Sequence, residues 1–509
     1  MVSICAKVTG SIIIVILLLI GIFFLTAFPL ALFPTLVKSQ LKLSTNGDGQ
    51  PSTITWYWSH LPANSYYNYY MFNVTNVDSA WFFGEKTSVN DVGPYAYREW
   101  ESKTFTISDD KESAFFVNDK AWAFDKNASC SNCFKEDFIW IPNLSLMATS
   151  ELMAQAGGLS SGQKLITNLG TLLLGAYPFV RVSVQDALFD GYNDPLLNLI
   201  NSPLVAILQK MNISLFGFDV PDIQDIGFFA KYNHTADMNY TVNTGKSDYK
   251  KVGAIQTWAG SSNLSWWSSA VANDVTGGSD GAYWGGFLKK TDVLKNFQTF
   301  TCRHLDMVYS YSTHVDGIST WAFAFPEDTF DTTVDKNTGY TVVNYLNKTF
   351  FPNWASKNGL NKFENSPFPP GLIEQKCFPG RNKPIPFMAT LSLPHFYGAD
   401  PEVIQNVNGL RPRQEKHNMG IFKIQPTVGS TVQANLRIQF SVAMFQDNDI
   451  LSMRSLKNSI VPSFWMEVEI KLKDYAKNYV RFNTKTIPMI GLIVGIVSTA
   501  LSALYSIKN

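Results

Sequence analysis

VQANLRIQFSVAMF, residues 432–445, alternates in the way an extended chain does. Val432, Ala434, Leu436, Ile438, Phe440, Val442 and Met444 fall on one face, and Gln433, Asn435, Arg437, Gln439 and Ser441 on the other. A helix would scatter these apolar side chains around its circumference, whereas a period of two is the repeat of a β-strand. FWMEVEIKLKDY (464–475) repeats the pattern, with Phe464, Met466, Val468, Ile470 and Leu472 inward and Glu467, Glu469, Lys471 and Lys473 outward. The spacing predicts long antiparallel strands with one buried and one solvated face. STWAFAF (319–325) and GAIQTWAG (253–260) read as shorter strands. The inward face is either a packed core or the wall of a cavity for an apolar ligand.

Helical signal concentrates between about 143 and 210. In KLITNLGTLLLGAY (164–177) Leu165, Ile166, Leu169, Leu172 and Leu173 share one face of an amphipathic helix. PNLSLMATSELMAQ (142–155) and PLLNLINSPLVAILQKM (195–211) are similarly helix-prone. A helical cluster inserted into a largely β domain is expected, so the class is α+β.

Both ends of the chain are apolar. Residues 8–37 and 486–507 carry no charge, and the 22 residues of the latter make a helix of about 33 Å, one hydrocarbon core. The first run is longer than a secretory signal and lacks a small-residue cleavage site, so it reads as a retained anchor. Two spans place residues 1–7 and 508–509 on one side and 38–485 on the other. Lys and Arg counts beside the spans do not orient them. Sequons do: Asn73, Asn127, Asn143, Asn212, Asn233, Asn239, Asn263 and Asn347 all lie between the spans, which predicts a luminal or extracellular, glycosylated segment and cytosolic ends. Cys5 then lies at the cytosolic membrane face, where a thiol can accept palmitate.

Between the spans stand 39 basic and 41 acidic side chains, so nothing attracts a polyanion and nucleic acid is excluded as a partner. No low-complexity linker or repeat divides the segment, which reads as one ectodomain. Cys130, Cys133, Cys302 and Cys377 share the oxidising side and allow three connectivities. CSNC (130–133) is a tight local disulfide or half of a metal site, but no second cluster of ligand spacing accompanies it.

Signals for catalysis are thin. GLSSG (158–162) matches the hydrolase nucleophile pattern around Ser160, but that chemistry needs a strand before the serine, and SELMAQAG precedes it. His304 with Asp306 and His314 with Asp316 are isolated pairs with no third ligand or base partner. We expect no enzyme, no metal and no cofactor.

DVGPYAYREW (91–100) carries a Gly-Pro-Tyr-x-Tyr-Arg segment as Gly93, Pro94, Tyr95, Tyr97 and Arg98. YMFNVTN stands before it, and SVQDALFDGYNDP (183–195), IGFFAKYNHTADMNY, TWAGSSNLSWW, LSLPHFYGADPEV (391–403) and IQPTVGSTVQANLRIQFSV follow in order. This ordered set of motifs resembles the class B scavenger receptor family, which includes the fatty acid translocase of animal cells and the lysosomal integral membrane protein that escorts a glucosidase. The resemblance implies a large antiparallel, barrel-like ectodomain with a helical apical bundle, crossed by an apolar tunnel from apex to membrane and flanked by two transmembrane helices. It also implies a Cys302–Cys377 disulfide, leaving Cys130 and Cys133 as a local addition. WWSSAV stands where mammalian members place a further cysteine, so that bridge is missing. The implied function is binding of lipids or lipoprotein-like particles at the apex, around Leu152, Lys164, Leu165, Leu169 and Leu172, and passage of lipid through the tunnel. The alternative is an endosomal or lysosomal receptor for protein cargo, or an adhesion receptor, without lipid transport. Expected locations are the plasma membrane or endocytic membranes, with the lysosome as a further candidate.

Overall fold

The computed structural model describes residues 2–155, 160–173, 175–200, 202–203, 226–360 and 365–508. In chain order the strands are β1 (Ala63–Val74), β2 (Val89–Ile107), β3 (Ser113–Phe124), β4 (Phe138–Pro142), β5 (Phe179–Ser183), β6 (Thr235–Asn243), β7 (Ile255–Trp258), β8 (Val293–Gln298), β9 (Arg303–Val315), β10 (Ile318–Ala324), β11 (Ile373–Cys377), β12 (Pro384–Ser392), β13 (Gly420–Gln425), β14 (Ser430–Met444) and β15 (Ser459–Leu472). All but β4 and β5 join one 13-stranded sheet in the order β7-β6-β3-β2-β1-β15-β14-β13-β10-β9-β8, with β12 also bonded to β14 and β11 to β12. Every named pairing is antiparallel, as the alternating stretches require.

The two alternating stretches are β14 and β15, paired from Gln433↔Lys471 to Met444↔Ser459. Their second face is not uniformly wet. Gln439, Ser441, Ser463 and Trp465 are fully buried. Residues from the segment after β12, with Tyr70 of β1, cover them: Gln439 Oε1 accepts from the His395 backbone N–H at 2.6 Å, and the Trp465 ring stacks on Tyr70 and meets His417 edge-on. Only the other half of that face, with Glu467, Glu469 and Lys471, reaches water. A polar face can be internal wherever its groups find partners, and alternation alone does not show this.

The barrel expectation needs correction as well. The strands at the two ends of the path, β7 and β8, do not pair. Residues 277–279 stand between them: Ile255 bonds to Gly277 and Gly278, and Ser279 bonds to Lys295 and Phe297 on β8. Gly278 has no room for a Cβ, because the His304 ring occupies that position. The shell is therefore bridged by a short strip of irregular chain and is not a closed strand ladder.

The expected helical region contains helices Leu144–Gln155, Ser161–Leu173 and Pro195–Ile200. Asn143 caps the first, its Oδ1 accepting from the Ser145 backbone N–H at 3.1 Å. The β4–β5 pair, five residues a strand, was not legible beneath the helix-prone background. Residues 204–211 of the third helix-prone stretch lie outside the described residues.

The chain is helical from Val2 to Gln40 and from Asp474 to Lys508, each helix interrupted by a π-helical stretch. Both are long and apolar enough to cross a membrane, over Val8–Gln40 and Asp474–Ile507. They pack on one another through small residues: Gly21 faces Thr499, Gly495 faces Leu25 and Gly491 faces the Phe28 ring, none with space for a Cβ. Ser502 Oγ donates to the Ile14 carbonyl at 3.0 Å. Cys5 lies in the first helix, and its side chain is outside the described residues.

Candidate functional site

The inward face of β14 and β15 lines a chamber. Ala434, Leu436 and Ile438 stand on one strand and Met466, Val468, Ile470 and Leu472 on the other. Counting the open solvent at its mouth, about 1160 Å³ between these walls is free of protein atoms. The cavity proper, measured as room for the centre of a water molecule, is about 90 Å³. Ala476, Tyr479 and Val480 form its wall at one end, and they belong to the helix that runs on into the second candidate span. Tyr57, Leu61 and Pro62 stand beside them.

Toward the other end the lining stops at Tyr67, Phe300, Ile438 and Met466. Beyond these, the next inward pair of the ladder is Phe440 opposite Phe464, with ring centroids 5.7 Å apart. Phe228, Phe229 and Tyr69 pack on Phe464 within 5.9 Å, and Phe189 packs on Phe229. Among the described residues the expected tunnel is thus a chamber stopped by an aromatic plug, because large rings converge where smaller aliphatic groups do not.

One wall is charged. Glu99, Glu101, Lys120 and Asp280 line the chamber. Lys103, its side chain fully buried, bridges Glu101 at 2.9 Å and Asp280 at 3.1 Å and also reaches the Trp58 carbonyl. Lys120 faces Asp237 at 3.5 Å and lies over the Phe300 ring. Burial pushes the Glu99 carboxyl up, with Lys120 opposing. Burial also works against charge on Glu101, yet Lys103 and Lys120 hold its carboxyl below the usual range. Asp237 is raised by burial to about 6, again against Lys120. The sequence reading missed this wall. Its signal was present in β2, where Glu99, Glu101 and Lys103 continue the face of the buried Tyr95 and Tyr97, and where Glu101 lies opposite Lys120 of β3.

Comparison with known proteins fits this architecture. The CD36 family model matches residues 11–508. This chain belongs to the CD36 family. An uncharacterized protein of Caenorhabditis elegans is 31% identical over 476 residues, covering 90% of this chain and 88% of that protein. Scavenger receptor class B member 1 of Cricetulus griseus is 27% identical over 435 residues, covering 85% and 76%. The protein of the same name from Bos taurus is 25% identical over 439 residues, covering 86% and 76%. Family membership and the two apolar helices mark a scavenger-receptor-like membrane protein.

In this CD36 family member the structure joins Cys302 to Cys377 and Cys130 to Cys133. CSNC is therefore a local disulfide. The expected apex residues divide between two surroundings. Lys164 pairs with Asp449 at 2.6 Å, and Leu165 and Leu172 on the same helix are exposed. Leu152 is half-buried in a groove with Tyr345 and Phe387. The Leu169 side chain lies outside the described residues. Glu151, one helix position before Leu152, is an internal fastener: it accepts from the Met388 backbone N–H at 2.6 Å and from the Tyr345 hydroxyl, and burial raises its carboxyl to about 8.

Sequon asparagines differ in access. Asn127, Asn239, Asn263 and Asn347 are exposed, and Asn73 and Asn233 are half-buried. Asn143 corrects the expectation: it is 2% exposed and its side chain caps a helix, so no glycan fits there. Asn212 lies outside the described residues. Ser160 heads the helix Ser161–Leu173 and follows the helix Leu144–Gln155, with 156–159 outside the described residues, so no strand in the described chain leads into it. His304 is half-buried beside Gly278, and loss of solvent around the ring pushes its imidazole down to about 4. Asp316, at the β9–β10 turn, pairs with Lys477 at 2.6 Å.

Proposed function

We propose that this protein is a non-catalytic receptor that binds lipids or lipid-bearing ligands and delivers lipid through its chamber to the membrane. The observation that carries this reading is the continuity of apolar wall and membrane helix: Ala476, Tyr479 and Val480 line the chamber on the helix that becomes the second candidate span. Each methylene exposed to water costs about 0.8 kcal/mol, so a dry wall reaching the bilayer removes most of the barrier to moving a lipid tail. Residues 38–485 are its luminal or extracellular part, in keeping with the exposed Asn127, Asn239, Asn263 and Asn347. The plasma membrane or endocytic membranes are the locations this reading favours. In this scheme the plug is a gate that opens during transfer. A second reading, as a receptor for protein cargo, draws on the apolar Leu165, Leu172 and Leu173 exposed on one helix.

Ala434→Trp tests the first reading, because Ala434 borders the chamber. An indole there fills free space, whereas in a tight core it would cost about 1–3 kcal/mol through overpacking. Uptake of a fluorescent fatty acid and of a fluorescent sterol ester should both fall in cells displaying the variant, with the thermal midpoint of the purified protein unchanged. Undiminished uptake of both at normal surface levels would favour the cargo-receptor reading.

A further inference from the structure

Glu99 is a polar group that the delivery of a lipid tail leaves unexplained. It is 6% exposed and lines the charged wall of the chamber beside Glu101, Lys120 and Asp280, across from the aliphatic strands. Ser65 Oγ donates to its Oε2 at 2.6 Å, but Oε1 accepts no hydrogen bond of normal geometry, although the Tyr67 hydroxyl stands near enough to act on the carboxyl. A buried acceptor left open is costly, and a donor brought to it recovers that cost.

The charges around it restrict which donor fits. Lys103 is held between Glu101 and Asp280, and Lys120 is turned to Asp237. Four carboxyl groups therefore share two ammonium groups on and behind this wall. An incoming carboxylate would meet Glu99, Glu101 and Asp280 with both cations already engaged. A neutral hydroxyl adds no charge and brings the hydrogen that Oε1 lacks.

Resting on the lipid reading above, we propose that Glu99 is the head-group acceptor of the chamber, and that the chamber takes neutral lipids ending in a hydroxyl in preference to fatty-acid anions. The class is defined by chemistry: one hydroxyl on a long apolar body, as in a long-chain alcohol or a sterol. With the hydroxyl at Glu99, the body lies along the aliphatic wall formed by Ala434, Leu436, Val468 and Ile470.

The test is a matched pair of probes, hexadecanol and hexadecanoic acid carrying the same fluorophore on the same chain carbon. Binding is measured at neutral pH on the full-length protein in nanodiscs and corrected for partition into empty nanodiscs. The expected result is an affinity for the alcohol about tenfold above that for the acid, the worth of satisfying one buried acceptor otherwise left open. Glu99→Gln and Glu99→Met should bring the ratio toward unity. Because both probes are read on the same preparation, an inactive fraction leaves the ratio unchanged. Equal or tighter binding of the acid, or a ratio indifferent to both variants, overturns the inference and leaves lipid delivery standing. Saturable binding of neither probe overturns the lipid reading and this inference with it.

Discussion

Where Leu436 faces Val468 across β14 and β15, the inner surface borders open space; further along the same ladder, where Phe440 faces Phe464, it is packed with rings. The two levels share strands, register and alternation. They differ in side-chain size and in what arrives from elsewhere in the chain. Phe228 and Phe229, just before β6, reach the upper level, whereas the lower level receives the helix Asp474–Arg481, which covers it at the side of the membrane span. Alternation selects the face that turns inward, and volume decides whether that inside is core or chamber.

The largest effect is expected from Phe464→Ala. In a filled plug, removing a central ring costs about 3–5 kcal/mol, because its neighbours relax only partly into the gap. Denaturant unfolding followed by tryptophan fluorescence would read this as an early midpoint. A cost near zero would show that the upper level is as open as the lower one.

An intermediate effect comes from pH, and it separates the levels by their acids. Asp237, on the charged wall, is raised from 3.8 to about 6, and Glu151, which fastens the helix Leu144–Gln155 to β12, from 4.5 to about 8, both by burial. In each case the folded state holds its proton more tightly than the unfolded chain. The associated stability is complete below the unfolded value and is lost as pH rises through the folded one. The thermal midpoint should therefore fall from mildly acidic pH to about 8, with Asp237→Asn flattening the lower part of that window and Glu151→Gln the upper part. A pH profile that Asp237→Asn and Glu151→Gln both leave unchanged would contradict the burial of these acids, whatever the half-buried His304 adds with the opposite sign below about pH 6.5.

Smallest is the expected cost of Leu436→Ala. This side chain already borders free space, so its loss creates no sealed cavity and should cost about 1–2 kcal/mol, the transfer term alone. A loss as large as that of Phe464→Ala would mean that the chamber is collapsed in solution.

Much of this was legible in the primary structure. The strands over 432–444 and 464–472, the two apolar ends and the Cys302–Cys377 pair stand where alternation, hydropathy and family motifs place them. Tertiary cover was not legible: Gln439 and Ser441 read as solvated, yet residues from a distant segment bury them. Asn143 satisfies the glycosylation pattern and serves as a helix cap, since the same amide suits both uses and only burial tells them apart. The charged wall escaped notice because Glu99, Glu101 and Lys103 look like the solvated face of a strand until β3 and β6 bring Lys120 and Asp237 opposite them.

The strip 277–279 between β7 and β8 has a mechanical consequence. A thin-walled tube slit along its length twists and dilates far more readily than a sealed one, because shear no longer circulates around the full circumference. Here that circuit passes through the few backbone hydrogen bonds that link Ile255 to Gly277 and Gly278, and Ser279 to Lys295 and Phe297. Along this strip the circumference is closed by four backbone hydrogen bonds, two to β7 and two to β8, while the eleven strands of the sheet path are held by their ladders.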